Sequence, residues 1–252
     1  MELATRVAAK REELKRLRVD ARNVTPALRD FTSAVGTGRR GLSLVVELAR
    51  ATPEEGPLVA QLDLERLAAA CDEHGAAAVA VATDAASSGG SPAELALASR
   101  SAGIPILQRD LILAKEQLYQ ARACQADATL LQASALQAGE IKLLIDLAAA
   151  THVATPVEVQ SAEELKRAAS AGARILVIPA FDGQRLSLAL ADGLLPLVPR
   201  TSVSLVRGPF ADAKDCAPLR GRADGVWTCA PFMRAPDPAA FLTSLVAALE
   251  DA

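Results

Sequence analysis

From residue 44 onward, short apolar runs alternate with longer helical patterns, and this alternation restricts the architecture more than any other feature of the chain. It predicts strands at LVVELA (44–49), AAAVAVAT (76–83), IPILQ (104–108), ATLLQ (128–132), VATPVEV (153–159), RILVIP (174–179), TSVSLV (201–206) and GVWTC (225–229). The runs are nearly continuous in Val, Ile, Leu and Ala, as parallel strands buried on both faces are. Between them, stretches such as LERLAAACDEH, KEQLYQARACQ and GEIKLLIDLAAA repeat apolar residues at three and four, the helical period, with QRLSLALADG a weaker case. Eight such units without a Gly-rich dinucleotide loop predict an α/β fold, a (β/α)8 TIM barrel with an extra N-terminal helix; an open doubly wound sheet is the alternative. One domain is expected over 1–252, with 1–40 a helical extension and 41–252 the barrel.

Charge and cysteine usage narrow the partners. The formal net charge is -3, and the most basic run, KREELKRLR near the start, alternates with acids as a solvated helix face does. No nucleic-acid partner is expected. The longest apolar runs are broken by charge or Pro well before the ~18 residues a membrane span needs, so no membrane partner is expected either. Cys71, Cys124, Cys216 and Cys229 are scattered, with no CxxC pair and no metal-ligand spacing to His74 or His152. They read as reduced thiols of a cytoplasmic protein, with no metal and no cofactor.

In a barrel of this kind the chemistry sits at the C-terminal ends of the strands. Those ends offer Glu47, Thr83-Asp84, Arg109-Asp110, Gln132, Glu158, Arg207 and Cys229. Glu47 and Glu158 with Arg109 opposite suit acid–base work, or form a polar plug; position alone leaves both open. Asp110 is expected to orient Arg109 or to cap the next segment, and Ser91 to cap the helix that begins SPAEL. Tyr119 and Trp227 are read as packing aromatics.

The motifs themselves resemble one family. LVVELARATPEEGPL is similar to the strand-1 signature of indole-3-glycerol phosphate synthases, I-A-E-[VI]-K-[KR]-x-S-P-S-x-G. ATDAASSGGSPAEL resembles their loop after strand 2, ILQRDLILAKEQLYQARACQADATLL their strand-3 stretch, and TPVEVQSAEELKRAASAGARI their strand-5 stretch. AAKREELKRLR and CAPFMRAPDPAAFL are similar to the first helix and the last loop, so the resemblance runs along the whole chain. It implies a carboxy-lyase of tryptophan biosynthesis that closes an indole ring with loss of CO2 and water.

Position by position, that implied chemistry is incomplete. The strand-1 and strand-5 glutamates are kept as Glu47 and Glu158, but the strand-1 lysine falls on Ala49 and the strand-3 lysine, the general acid, on Arg109. The N-N-R segment of strand 6 falls on Pro179, Ala180 and Phe181, and the phosphate loops after strands 7 and 8 contain Pro209 and Pro231, which lack an N–H. Catalytic roles are therefore assigned to Glu47, Arg109 and Glu158, and ligand contacts to Thr52, Ser91, Arg207 and Gly208. The expectation is a synthase-like barrel whose ring closure is lost or strongly impaired, serving as a pseudoenzyme or binding protein. The alternatives are a divergent lyase using Glu47, Arg109 and Glu158, or a residual synthase. A binding role predicts a mouth filled by Phe181, Phe210 and Phe232; a divergent enzyme predicts an open pocket with Glu158 directed into it. A small anionic or aromatic ligand is expected, on a monomer or homodimer; a protein partner is left open.

Overall fold

A computed structural model of the protein describes residues 3–19, 26–36 and 41–250. Eight barrel strands follow the predicted order: β1 (Ser43–Leu48), β2 (Ala78–Ala82), β3 (Ile106–Arg109), β4 (Ala128–Thr129, continuing as Leu131–Gln132), β5 (Val157–Glu158), β6 (Ile175–Pro179), β7 (Val203–Arg207) and β8 (Gly225–Thr228). All neighbouring pairs are parallel, and β1 lies between β2 and β8. The two halves of β4 close the ring: Thr129 pairs with Gln108 of β3, while Leu131 pairs with Val157 of β5. The closed barrel is thus observed, and the open sheet is excluded.

Alternation along the strands sorts the core into two layers, because successive side chains point to opposite faces. Leu44, Val46 and Leu48 of β1 pack outward against helices. Val45 faces inward with Ala78, Ala80, Leu107, Leu130, Val177, Leu205 and Trp227. Ala78 and Ala80 are small where Trp227, fully buried, is large, so the interior fills without a pore.

Among the described residues, the segment before β1 holds two helices rather than one, α1 (Leu3–Leu14) and α2 (Phe31–Gly36). Phe31 and Val35 of α2 join the inner layer and seal the base of the barrel. Arg29 fastens the same end: its Nε lies 2.9 Å from Asp127, just ahead of β4, and its Nη1 donates to the Ala102 and Ile104 carbonyls ahead of β3. At the opposite end, α1 reaches the C-terminal ends of β2 and β3. Its Lys10, expected on a solvated face, is buried, with Nζ 2.8 Å from Asp84 and 2.9 Å from Asp110. The alternating charges around it concealed a side chain whose two buried partners come from elsewhere in the chain.

Two short hairpins lie beyond the strand ends. Ala51–Thr52 pairs with Gly56–Pro57 after β1, and Phe181–Asp182 pairs with Arg185–Leu186 after β6. The second takes up the start of the weak helical pattern, leaving a helix only over Ala189–Leu194. After β5 the chain turns into a helix over Ala162–Ser170, capped at Ser161, whose hydroxyl accepts from the Glu164 N–H. The Glu164 carboxylate accepts in return from the Gln160 N–H, which holds the end of β5 and so positions Glu158.

Candidate functional site

The mouth holds five charged side chains in one connected array. Glu47 of β1 is fully buried; its Oε2 accepts from the Trp227 indole N–H at 3.0 Å, and its Oε1 lies 3.1 Å from Arg109 Nε without hydrogen-bond alignment. Across the barrel, Arg207 Nε donates to Glu158 Oε2 at 2.9 Å. Between the two arginines sits Glu54, from the hairpin after β1. Arg109 Nη2 donates to both its oxygens, at 2.9 and 3.2 Å, and Arg207 Nη2 donates to Oε1 at 2.9 Å. Arg207 also lies over the Phe181 ring, 5.0 Å from its centre. Glu47, Arg109, Glu158 and Arg207 are thus brought together as the strand ends implied.

Local sequence explains how Glu54 gets there. In Thr52-Pro53-Glu54-Glu55-Gly56 the Thr52 hydroxyl accepts from the Glu55 N–H at 3.0 Å, tightening the turn, and Gly56 takes the left-handed φ of 71° that lets the chain reverse. The turn sends both carboxylates inward. Glu55 is buried, and its Oε1 accepts from the Ala230 N–H at 3.3 Å, beside the loop after β8. Arg234 Nη2 fastens the hairpin by donating to the Glu55 and Pro57 carbonyls. Glu54 was absent from the sequence-based site. The available signal was its place at the second serine of S-P-S, where the chain carries a long acid.

Electrostatics follow from burial and partners. Burial pushes the Glu47 carboxyl above its ordinary 4.5, outweighing the opposing pull of Arg109 and Arg207. Burial also tends to raise Glu54, but the charges of Arg207 and Arg109, with the hydrogen bond from Arg207, hold it well below the usual carboxylate range. Burial disfavours the charged form of Arg109 and Arg207, yet the surrounding glutamates keep both guanidiniums above their ordinary range.

Several ligand contacts expected from sequence have other partners here. The Gly208 N–H donates to the Trp227 carbonyl at 2.9 Å, continuing the ladder. Gly208 is needed because a Cβ there would meet the Ala180 carbonyl at 3.1 Å and Leu186 at 3.0 Å. In the same loop the Phe210 N–H donates to the Gly208 carbonyl and the Ala211 N–H to Asp215. The Thr52 hydroxyl is spent on Glu55, to whose Oε2 it also donates at 3.4 Å. Ser91 is exposed and makes no side-chain cap; its N–H donates to Glu94, which pairs with Arg50. Phe210 and Phe232 are buried in the outer layer between strands and helices, so Phe181 alone of the three aromatics meets the charged array. Asp110 accepts from the Thr83 hydroxyl and the Leu111 N–H and pairs with Lys10, so it does not orient Arg109. Trp227 packs as expected, but its N–H on Glu47 had no signal in the sequence, because the two residues are 180 positions apart. Among the described residues, no group of three or more His, Cys, Asp or Glu could hold a metal ion.

Comparison with known proteins agrees with the barrel fold and identifies a family. The family model described as indole-3-glycerol phosphate synthase matches residues 2–245. The chain is 31% identical to indole-3-glycerol phosphate synthase 1 of Streptomyces coelicolor, over 99% of this chain and 92% of the relative. It is 35% identical to indole-3-glycerol phosphate synthase of Pelodictyon phaeoclathratiforme, over 75% of each chain. Among solved structures, thiamine phosphate pyrophosphorylase from Pyrococcus furiosus superposes with a TM-score of 0.62 at 19% identity, covering 84% of this chain and 98% of that one, a likeness of fold alone.

Proposed function

The chain belongs to the indole-3-glycerol phosphate synthase family, and from that premise we propose that its ring-closing, decarboxylating activity is lost or strongly impaired, leaving a mouth that binds rather than synthesises. The observation that carries this reading is the Glu54 carboxylate lodged between Arg109 and Arg207. A substrate would have to enter a mouth whose cations already hold an anion of the chain. Two further features point the same way. Ala49, buried at the position of the family's strand-1 lysine, has no charge or proton. Arg109 stands at the position of the general acid, but a guanidinium with a pKa above ~12 gives up its proton too reluctantly at neutral pH to serve. Loss of one such proton-transfer group typically slows a reaction by ~10²–10⁴.

On this reading the protein acts in the cytoplasm, as a monomer or homodimer, on a small anionic or aromatic ligand and without a bound cofactor. Among the described residues no helix is long and apolar enough to cross a membrane. A second reading, a divergent lyase working through Glu47, Arg109 and Glu158 on another ligand, is favoured by one observation. Burial pushes the Glu47 carboxyl upward, and its Oε1 lies 3.1 Å from Arg109 Nε, an arrangement suited to proton transfer.

The deciding experiment follows indole fluorescence from the phosphorylated anilino-deoxyribulose substrate, with Glu158→Gln as the control. Wild-type protein is expected to give no turnover above that control. Turnover that the control abolishes would make Arg109 a working replacement for lysine and overturn the proposal.

A further inference from the structure

We propose that Arg109 and Arg207 form a binding site for an external monocarboxylate, and that Glu54 is an internal occupant which such a ligand displaces. The inference rests on the reading above that the mouth is closed by the chain's own carboxylates.

The division of labour within each guanidinium carries the inference. Arg207 is anchored through Nε, which donates to Glu158 at 2.9 Å, while Arg109 Nε forms an ion pair with Glu47 at 3.1 Å without hydrogen-bond alignment. Each arginine therefore has its own buried glutamate, and each offers Nη2 to the same point in space. Two strands from different parts of the ring, β3 and β7, converge there on one carboxylate. A planar group with two oxygens matches this fork-like presentation.

The occupant is the most accessible member of the array. The side chains of Arg109 and Arg207 are 4% and 3% exposed, whereas that of Glu54 is 25% exposed, so it approaches from the solvent side. The hairpin that carries it is fastened at Thr52, Glu55 and Pro57, so displacement requires the Glu54 side chain to swing outward while the hairpin stays in place. Withdrawing Glu54 would leave the guanidiniums facing an unfilled position of one negative charge and one carboxylate's size. The Phe181 ring under Arg207 supplies an apolar wall for whatever the carboxylate is attached to.

The test titrates Glu54→Ala and wild-type protein with sodium formate and sodium acetate, following melting temperature, with sodium chloride and inorganic phosphate at matched ionic strength as comparators. The expected result is a saturable rise in melting temperature for Glu54→Ala, with formate affinity at least ~10-fold above wild type, because the internal competitor is gone. If Glu54→Ala does not fold, Glu54→Gln keeps the shape of the loop while removing the charge, and the same ~10-fold ordering against wild type is required of it. Equal formate affinity in variant and wild type, no saturable rise, an equal rise with chloride, or a preference for phosphate would each overturn the assignment. Indole formation by the wild-type protein would overturn the proposed function without deciding this titration, so the two failures are distinguishable.

Discussion

Replacement of Lys10 by Met should release α1 from the barrel without unfolding the barrel. Lys10 Nζ contacts Asp84 at 2.8 Å and Asp110 at 2.9 Å, both carboxylates nearly as buried as the ammonium; the third contact, Glu13 at 3.0 Å, is 61% exposed and worth little. Breaking a buried ion pair from one side costs roughly 3–5 kcal/mol, because the remaining charges stay buried and uncompensated. Lys10 is also the one buried residue of α1, so the helix has little else to hold it in place. The loss should therefore appear as local opening. About 3 kcal/mol corresponds to an opening equilibrium raised ~10²-fold. Amide exchange across residues 3–14, or tryptic cleavage after Arg11, should accelerate by about that factor while exchange in β1 and β8 is unchanged. Asp84 is held below its ordinary value despite burial, by its hydrogen bonds with Lys10 and Ser87 and the Lys10 charge, so its contribution is present above 3.8 and lost as pH falls through the lowered value. Lys10 is raised above its ordinary 10.5, with the charges of Asp110 and Asp84 outweighing burial, so its contribution is full below 10.5 and lost only as pH rises beyond that. The difference between wild type and variant should thus hold from about pH 4 to about pH 10. Unchanged protection in α1, or protection lost only in step with the barrel strands, would refute the reasoning.

Two further outcomes follow from the mouth. Glu47→Gln removes a group whose folded pKa lies above its unfolded 4.5; Glu47 stabilises fully below 4.5 and that contribution is lost as pH rises through the folded value. Urea unfolding between pH 5 and 8 should show the variant gaining on wild type as pH rises, and a difference flat across that range would exclude a raised Glu47. Trp227→Phe takes away the N–H that Glu47 Oε2 accepts and leaves space in the fully buried inner layer. Stability should fall by about 2–4 kcal/mol in urea unfolding, and a loss well under ~1 kcal/mol would mean that neither the bond nor the packing matters there.

The strands were legible because barrel strands are buried on both faces and leave continuous Val, Ile, Leu and Ala runs. Glu47, Arg109, Glu158 and Arg207 were legible for a related reason: each interrupts or ends such a run, where a charge needs a partner. Glu54 was not, because a glutamate in a short polar loop has the same appearance whether it faces water or turns inward; its direction depends on a hairpin of two residue pairs. Phe210 and Phe232, by their place after β7 and β8, were expected to fill the mouth if the protein had a binding role. Beyond the end of a strand, however, the alternation of faces no longer holds, and both turned into the outer layer. Lys10 was concealed by the reverse effect, an amphipathic pattern that suits a solvated helix just as well.

The pairing of β1 with β8 has a consequence for how the protein is made. Ser43 lies beside Gly225, so the ring cannot close until the residues of β8 have left the ribosome. Phe31 and Val35 belong to the same inner layer as Trp227, and that layer is incomplete until β8 arrives. Parallel pairing over so long a separation is slow to form and leaves apolar surface exposed in the interim. The nascent chain is therefore most vulnerable to aggregation just before its final strand docks, and a truncation that removes β8 would leave β1 and β7 as unpaired, apolar sheet edges.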